Sequence, residues 1–73
     1  MEILYNRSNQ VLVSDDTEKG LVYRLYSYHS LVLEIVKGEI TIDARAKTRK
    51  NYDGIQSVTT SKHITQALSF LNM

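Results

Sequence analysis

Between Ser57 and Ile64 the chain reads Ser-Val-Thr-Thr-Ser-Lys-His-Ile, which gathers four hydroxyls, an ammonium and an imidazole within eight residues. Hydroxyls just ahead of an apolar periodic stretch are natural helix caps, because the side-chain oxygen accepts from an orphan backbone N–H. Thr60 or Ser61 suits that position. Capping leaves Lys62 and His63 unexplained, since a cation in the first turn opposes the helix dipole. An anion removes the conflict: free N–H groups and the positive end of the dipole attract phosphate or carboxylate. Thr59, Thr60, Ser61, Lys62 and His63 are therefore a candidate anion or nucleotide site. The same dipole favours a neutral imidazole at His63, able to donate or accept near neutral pH.

The second cluster is basic. Arg45, Lys47, Arg49 and Lys50 fall close together and Tyr52 follows them, a segment suited to an acidic protein surface. It also suits a nucleic-acid backbone, with Tyr23, Tyr26 and Tyr28 as a stacking platform for single-stranded bases. A net charge of only +1 weighs against nonspecific nucleic-acid binding. Catalysis has thinner support. His29 and His63, with Ser30, Ser61, Asp43 or Asp53, supply the residue types of a hydrolytic triad, but no Gly-x-Ser-x-Gly elbow is present. Neither HxH nor HExxH spacing occurs, and there is no glycine-rich phosphate loop, so no metal or cofactor is expected and the chain reads as noncatalytic.

These groups need a scaffold, and the hydrophobic period supplies one. Ile3 and Tyr5 alternate with polar neighbours, Asn6 to Asn9 is turn material, and Gln10 to Ser14 resumes the strand pattern. Asp15 to Gly20 reads as a polar, mostly acidic loop. Leu21 to Tyr28 is rich in aromatic and β-branched residues, with Leu21, Tyr23 and Leu25 on one face and Val22, Arg24, Tyr26 and Tyr28 on the other. Leu31–Lys37 and Glu39–Ala44 form a hairpin about Lys37-Gly38, with Ile40, Ile42 and Ala44 on one face. Ala46 to Tyr52 is a connector, Asp53-Gly54 a turn, and Ile55 to Thr59 a last short strand. Ile64, Ala67, Leu68 and Leu71 then follow the i, i+3, i+4, i+7 spacing of an amphipathic helix of ten to twelve residues. The expected fold class is α+β: one domain over residues 1–73, a small antiparallel sheet of four to five strands, and one C-terminal helix packed on it.

Composition bounds the rest. With 73 residues, no cysteine and no metal-ligand set, a lone monomer is marginal, so a homo-oligomer, preferably a dimer, is expected. Met1-Glu2-Ile3-Leu4 has no basic lead, and no apolar run approaches the ~20 residues of a membrane helix, so a cytoplasmic location without membrane attachment is expected. The near-neutral total hides an asymmetry: residues 1–43 carry four basic and seven acidic groups, whereas residues 44–73 carry five basic groups and only Asp53.

Two pieces of the chain resemble a family of small proteins encoded by bacteriophages and related mobile elements. Tyr26-Ser27-Tyr28-His29-Ser30-Leu31-Val32 is similar to a Tyr-Ser-Tyr-x-Thr-x-Val strand, with Ser30 in place of threonine. Ser57 to Ile64 is similar to a Ser-x-Thr-Thr-Ser-Lys-His-Ile helix start, although Gln56 stands where an aromatic is usual. The resemblance implies a phage accessory protein that binds and inhibits a host macromolecule, including components of antiviral defence. Its expected contact segment is Arg45, Lys47, Arg49, Lys50 and Tyr52.

Overall fold

Alternating apolar and polar residues in the first 43 positions form five consecutive antiparallel strands, because each such strand can bury one face and wet the other. In the computed structural model, which describes residues 1–45 and 58–73, the strands are β1 (Glu2–Arg7), β2 (Gln10–Thr17), β3 (Gly20–Ser27), β4 (Ser30–Val36) and β5 (Glu39–Asp43). They lie side by side in chain order as a meander, and one helix, α1 (Val58–Phe70), packs on one face. The α+β fold with an antiparallel sheet follows the sequence pattern.

Two-residue turns set the register. Ser8-Asn9, Tyr28-His29 and Lys37-Gly38 all have positive φ, between 50° and 80°. This conformation matches the strand twist of a tight hairpin. The β2–β3 turn is made differently: the Thr17 hydroxyl donates to the Gly20 carbonyl at 2.9 Å and accepts from the Lys19 N–H at 3.1 Å. Asp15 to Thr17 therefore belongs to β2 rather than to a loop. The acidic side chains fit there because Asp15 reaches Arg24 of β3 at 3.6 Å. At the other end of β3 the strand stops at Ser27, and Tyr28 lies in the turn.

The helix-facing side carries the core: Tyr5, Leu12, Leu25, Leu33 and Ile35 from the sheet meet Ile64 and Ala67 from α1, with Leu68 and Leu71 at its margin. A bulge in β5 corrects the expected single apolar face of that strand. Ile40 stands opposite Ile35, whereas Ile42 stands opposite Glu34. Directly opposed residues share a face, so Ile40 and Ile42 point to opposite sides of the sheet. The sequence alternation continued through Thr41 as if the ladder were regular.

The helix begins earlier than its apolar stripe suggests. Val58 and Thr59 are helical, which corrects the expected strand over Ile55 to Thr59, whose first part lies outside the described residues. Thr60 and Ser61 are inside the helix rather than at its cap. The physical reason is packing: Thr60 and His63 extend the buried stripe one turn upstream of Ile64. At the far end Asn72 adopts φ 62°. Its N–H donates to the Ser69 carbonyl at 3.0 Å, and the Met73 N–H donates to the Leu68 carbonyl at 2.9 Å. These bonds form a Schellman stop that satisfies the last carbonyls.

Candidate functional site

Strand pairing places Gln10 directly opposite Ser27 on β2 and β3, while His63 and Gln66 lie three residues apart on α1 and share a helix face. Docking the helix joins the two pairs. Gln10 Nε2 donates to Gln66 Oε1 at 2.8 Å, and Ser27 Oγ shares a 2.9 Å hydrogen bond with His63 Nδ1. Gln10 is also the acceptor, through Oε1, for the Tyr5 hydroxyl at 3.0 Å. The result is a polar seam inside the helix–sheet interface. Ser27 and His63 are only 3% and 5% exposed. Burial pushes the His63 pKa below its ordinary value, because the imidazolium would lose its hydration. Burial likewise raises the Tyr5 phenol, partly offset by the nearby Arg7 charge.

A hydrogen-bonded serine and histidine invite a catalytic reading. A nucleophile needs an approach for substrate and a base oriented by a third group. Here both side chains are covered, and among the described residues no carboxylate is hydrogen-bonded to the imidazole. What the arrangement does is hold α1 in register on the sheet, since a buried polar pair is stable only when both members are matched.

The five residues of the sequence-derived anion site are not brought together. Thr60 and His63 turn inward, Thr59 and Ser61 are half-buried, and Lys62 alone is exposed. The helix spreads them around its circumference, so the imidazole and ammonium do not converge on one ligand. Of the basic contact segment, Lys47, Arg49, Lys50 and Tyr52 lie outside the described residues. Arg45 is engaged with its neighbour: its Nε and Nη2 donate to the two Asp43 carboxylate oxygens at 3.0 and 2.7 Å. The guanidinium holds the Asp43 carboxyl below the usual range.

The three tyrosines also separate. Tyr23 packs at the margin of the helix-side core, Tyr26 faces the opposite side opposite Val11, and Tyr28 stacks on His63 with ring centroids 6.0 Å apart. The three therefore form no common stacking platform, although Tyr26 and Tyr28 line one small cleft. The contacts of Ser27 and Tyr28 with His63 do bring together the two sequence pieces that carried the family resemblance.

The outer face of the sheet, away from α1, has two zones. At one end Arg24 Nε donates to Glu34 Oε2 at 3.0 Å, and the Thr41 hydroxyl donates to Glu34 Oε1 at 2.7 Å. The Thr41 and Arg24 donors lower the Glu34 pKa. At the other end Ile3, Val11, Val13 and Tyr26 line a shallow groove of ≈ 360 Å³, continued by Leu31 opposite Tyr26. A smaller cleft adjoins it between the Ser8-Asn9 and Tyr28-His29 turns. Sequence reasoning missed Gln10, Ser27 and Gln66. For the two strand residues the available signal was parity, because Gln10 shares a strand face with Leu12, and Ser27 with Leu25. Comparison with protein-family models, with curated proteins and with solved structures gave no match.

Proposed function

We propose that the protein is a noncatalytic binding protein that captures a protein partner, which the resemblance to small phage-encoded proteins would make a host component. The observation that supports this reading is the apolar zone of the outer sheet face. Ile3 is 57% exposed, and Val11, Tyr26 and Leu31 continue the zone across three further strands. Contiguous apolar surface of this kind is a hallmark of interaction sites. The adjoining carboxylates and Arg24 are satisfied within the chain, so the occupant is a protein presenting a complementary apolar strip rather than a highly charged polymer. Lys47, Arg49 and Lys50, which lie outside the described residues, would add long-range attraction through their charge; Arg45 is already matched by Asp43.

The test is capture from nuclease-treated host lysate by the immobilised chain. Ile3→Glu with Leu31→Glu should abolish capture while the thermal midpoint moves by only a few degrees, because both side chains are exposed. Charge reversal at Arg49 and Lys50 should slow capture. Retention of the partner by both variants would reject the reading. Light scattering decides about self-association: a dimer that Ile3→Glu dissociates would make this face the contact between two copies and withdraw it from the partner.

A further inference from the structure

The sharpest departure from ordinary backbone geometry lies where two hairpin turns sit side by side. Ser8 and Asn9 have φ of 50° and 63°, and Tyr28 and His29 have φ of 50° and 71°. Tight turns of this type ordinarily use Asn-Gly. A bulky aromatic at positive φ is a true outlier that persists only when its surroundings enforce it. The surroundings are identifiable here. The Tyr28 N–H donates to the Asn9 carbonyl at 2.9 Å, locking one turn to the other, and the Tyr28 ring is backed by His63 while remaining 55% exposed. Packing of Tyr28 explains that residue in part. It does not explain His29, which faces solvent at the next position.

The cleft between these turns is lined by Asn6, Asn9, Val11, Tyr26, Tyr28 and His29 and encloses ≈ 230 Å³. Its chemistry is unusually uniform. There are two carboxamides, two phenols and an imidazole, with no carboxylate, ammonium or guanidinium. Among the described residues the side chains of Asn6, Asn9 and His29 make no hydrogen bond to protein groups, so their donors and acceptors are available to a ligand. The neighbouring cation, Arg7, is directed elsewhere, its guanidinium 4.3 Å from the centre of the Tyr5 ring.

We propose that this cleft binds a single uncharged nucleobase-type ring, stacked on a tyrosine and read by the Asn6 and Asn9 carboxamides and His29. A carboxamide presents a donor and an acceptor side by side, the pattern that matches the edge of a base. Phenol rings supply a stacking surface that any base accepts. The volume is below the roughly 300–1,000 Å³ of sites for drug-sized ligands, which limits the occupant to one ring system. With no cation in the lining, a phosphate adds nothing to affinity, so binding is insensitive to salt. The strained Tyr28-His29 turn is then retained for its side chains at the expense of stability. The cleft shares Val11, Tyr26 and His29 with the edge of the apolar groove, but Asn6, Asn9 and Tyr28 lie outside that groove, and nucleoside binding is read independently of partner capture.

Titration of the intact chain with adenosine, guanosine, cytidine and uridine, their 5′-monophosphates and a short single-stranded oligonucleotide tests the proposal, read by NMR shifts and calorimetry at low and high salt. At least one nucleoside should bind saturably, shift resonances of the six lining residues, and bind equally with or without its phosphate. Asn6→Ala should weaken binding about tenfold, the effect of one lost hydrogen bond. The double variant Tyr28→Asn, His29→Gly should raise the thermal midpoint by relieving the turn while abolishing binding, so loss of binding cannot be ascribed to unfolding. Equal affinity for nucleoside and oligonucleotide would identify free nucleosides as the source, and a tighter, salt-insensitive oligonucleotide would identify an exposed base in a strand. The proposal is overturned if no nucleoside binds, if only the oligonucleotide binds and does so with a steep salt dependence, if glucose binds as tightly, or if both variants bind as the native chain does.

Discussion

His63 couples a charge state to the seating of a helix. Its Nδ1 is committed to Ser27 and its ring to Tyr28, and burial lowers its pKa. A free imidazole titrates near ~6.5, so below that pH the unfolded chain takes up a proton that the folded chain resists. The contribution is therefore complete above about pH 6.5 and declines as pH falls from there through the lower folded value. The thermal midpoint should drop across this acid limb, and His63→Gln should flatten it. Glu34 and Asp43, held low by Thr41 with Arg24 and by Arg45, contribute above the ordinary carboxylate range and lose that contribution in a separate limb at lower pH. Ser27→Ala leaves His63 Nδ1 without its buried partner and should cost about 1–3 kcal/mol, measurable by urea unfolding.

At the scale of elements, the turns and the helix end are the places where single residues control whole segments. Gly38 has φ 80° and open space around its missing Cβ. Gly38→Ala therefore meets a backbone penalty without a clash, and should destabilise by about 1–2 kcal/mol in chemical denaturation. Asn72 closes α1 from the left-handed region. Asn72→Ala should weaken the stop by about 1 kcal/mol and speed amide exchange at Asn72 and Met73, whereas Asn72→Gly should retain it. The bulge in β5 acts differently. It lets Thr41 reach Glu34 on the outer face while Ile40 stays opposite Ile35 on the inner one. Deleting Thr41 should restore regular alternation and remove that bond together.

For the whole molecule, the small core makes each inward side chain weigh heavily. A 73-residue domain has a total stability of about 4–11 kcal/mol at ~0.05–0.15 kcal/mol per residue. Ile64 is fully buried between α1 and the sheet, and Ile64→Ala should remove about 2–5 kcal/mol. That loss is a large share of the total, so the helix should detach and the whole domain unfold at markedly lower urea. Exposed outer-face changes such as Ile3→Glu should leave the same midpoint almost unmoved. This contrast between the two faces follows from α1 packing on only one of them.

Local pattern was enough for the elements. Alternation gave the strands, Lys37-Gly38 gave the hairpin, and the spacing of Ile64, Ala67, Leu68 and Leu71 gave the amphipathic helix, because each signal is complete within a few neighbouring residues. It failed where the deciding partner was distant in sequence. Asp15 and Asp16 read as loop because their place beside β3 is fixed by pairing. His63 read as a ligand group because Ser27, 36 residues earlier, was not visible as its partner. The cleft beside Asn6 and His29 required two separate turns to be locked together by one backbone bond. Sequence alone determined the five strand stretches between Ile3 and Ala44 and the closing helix, but it also gave a strand over Ile55 to Thr59 that is helical at Val58 and Thr59. Tertiary contact alone decided which polar groups were buried in matched pairs and which were left facing outward, since burial and hydrogen bonding are properties of neighbours in space.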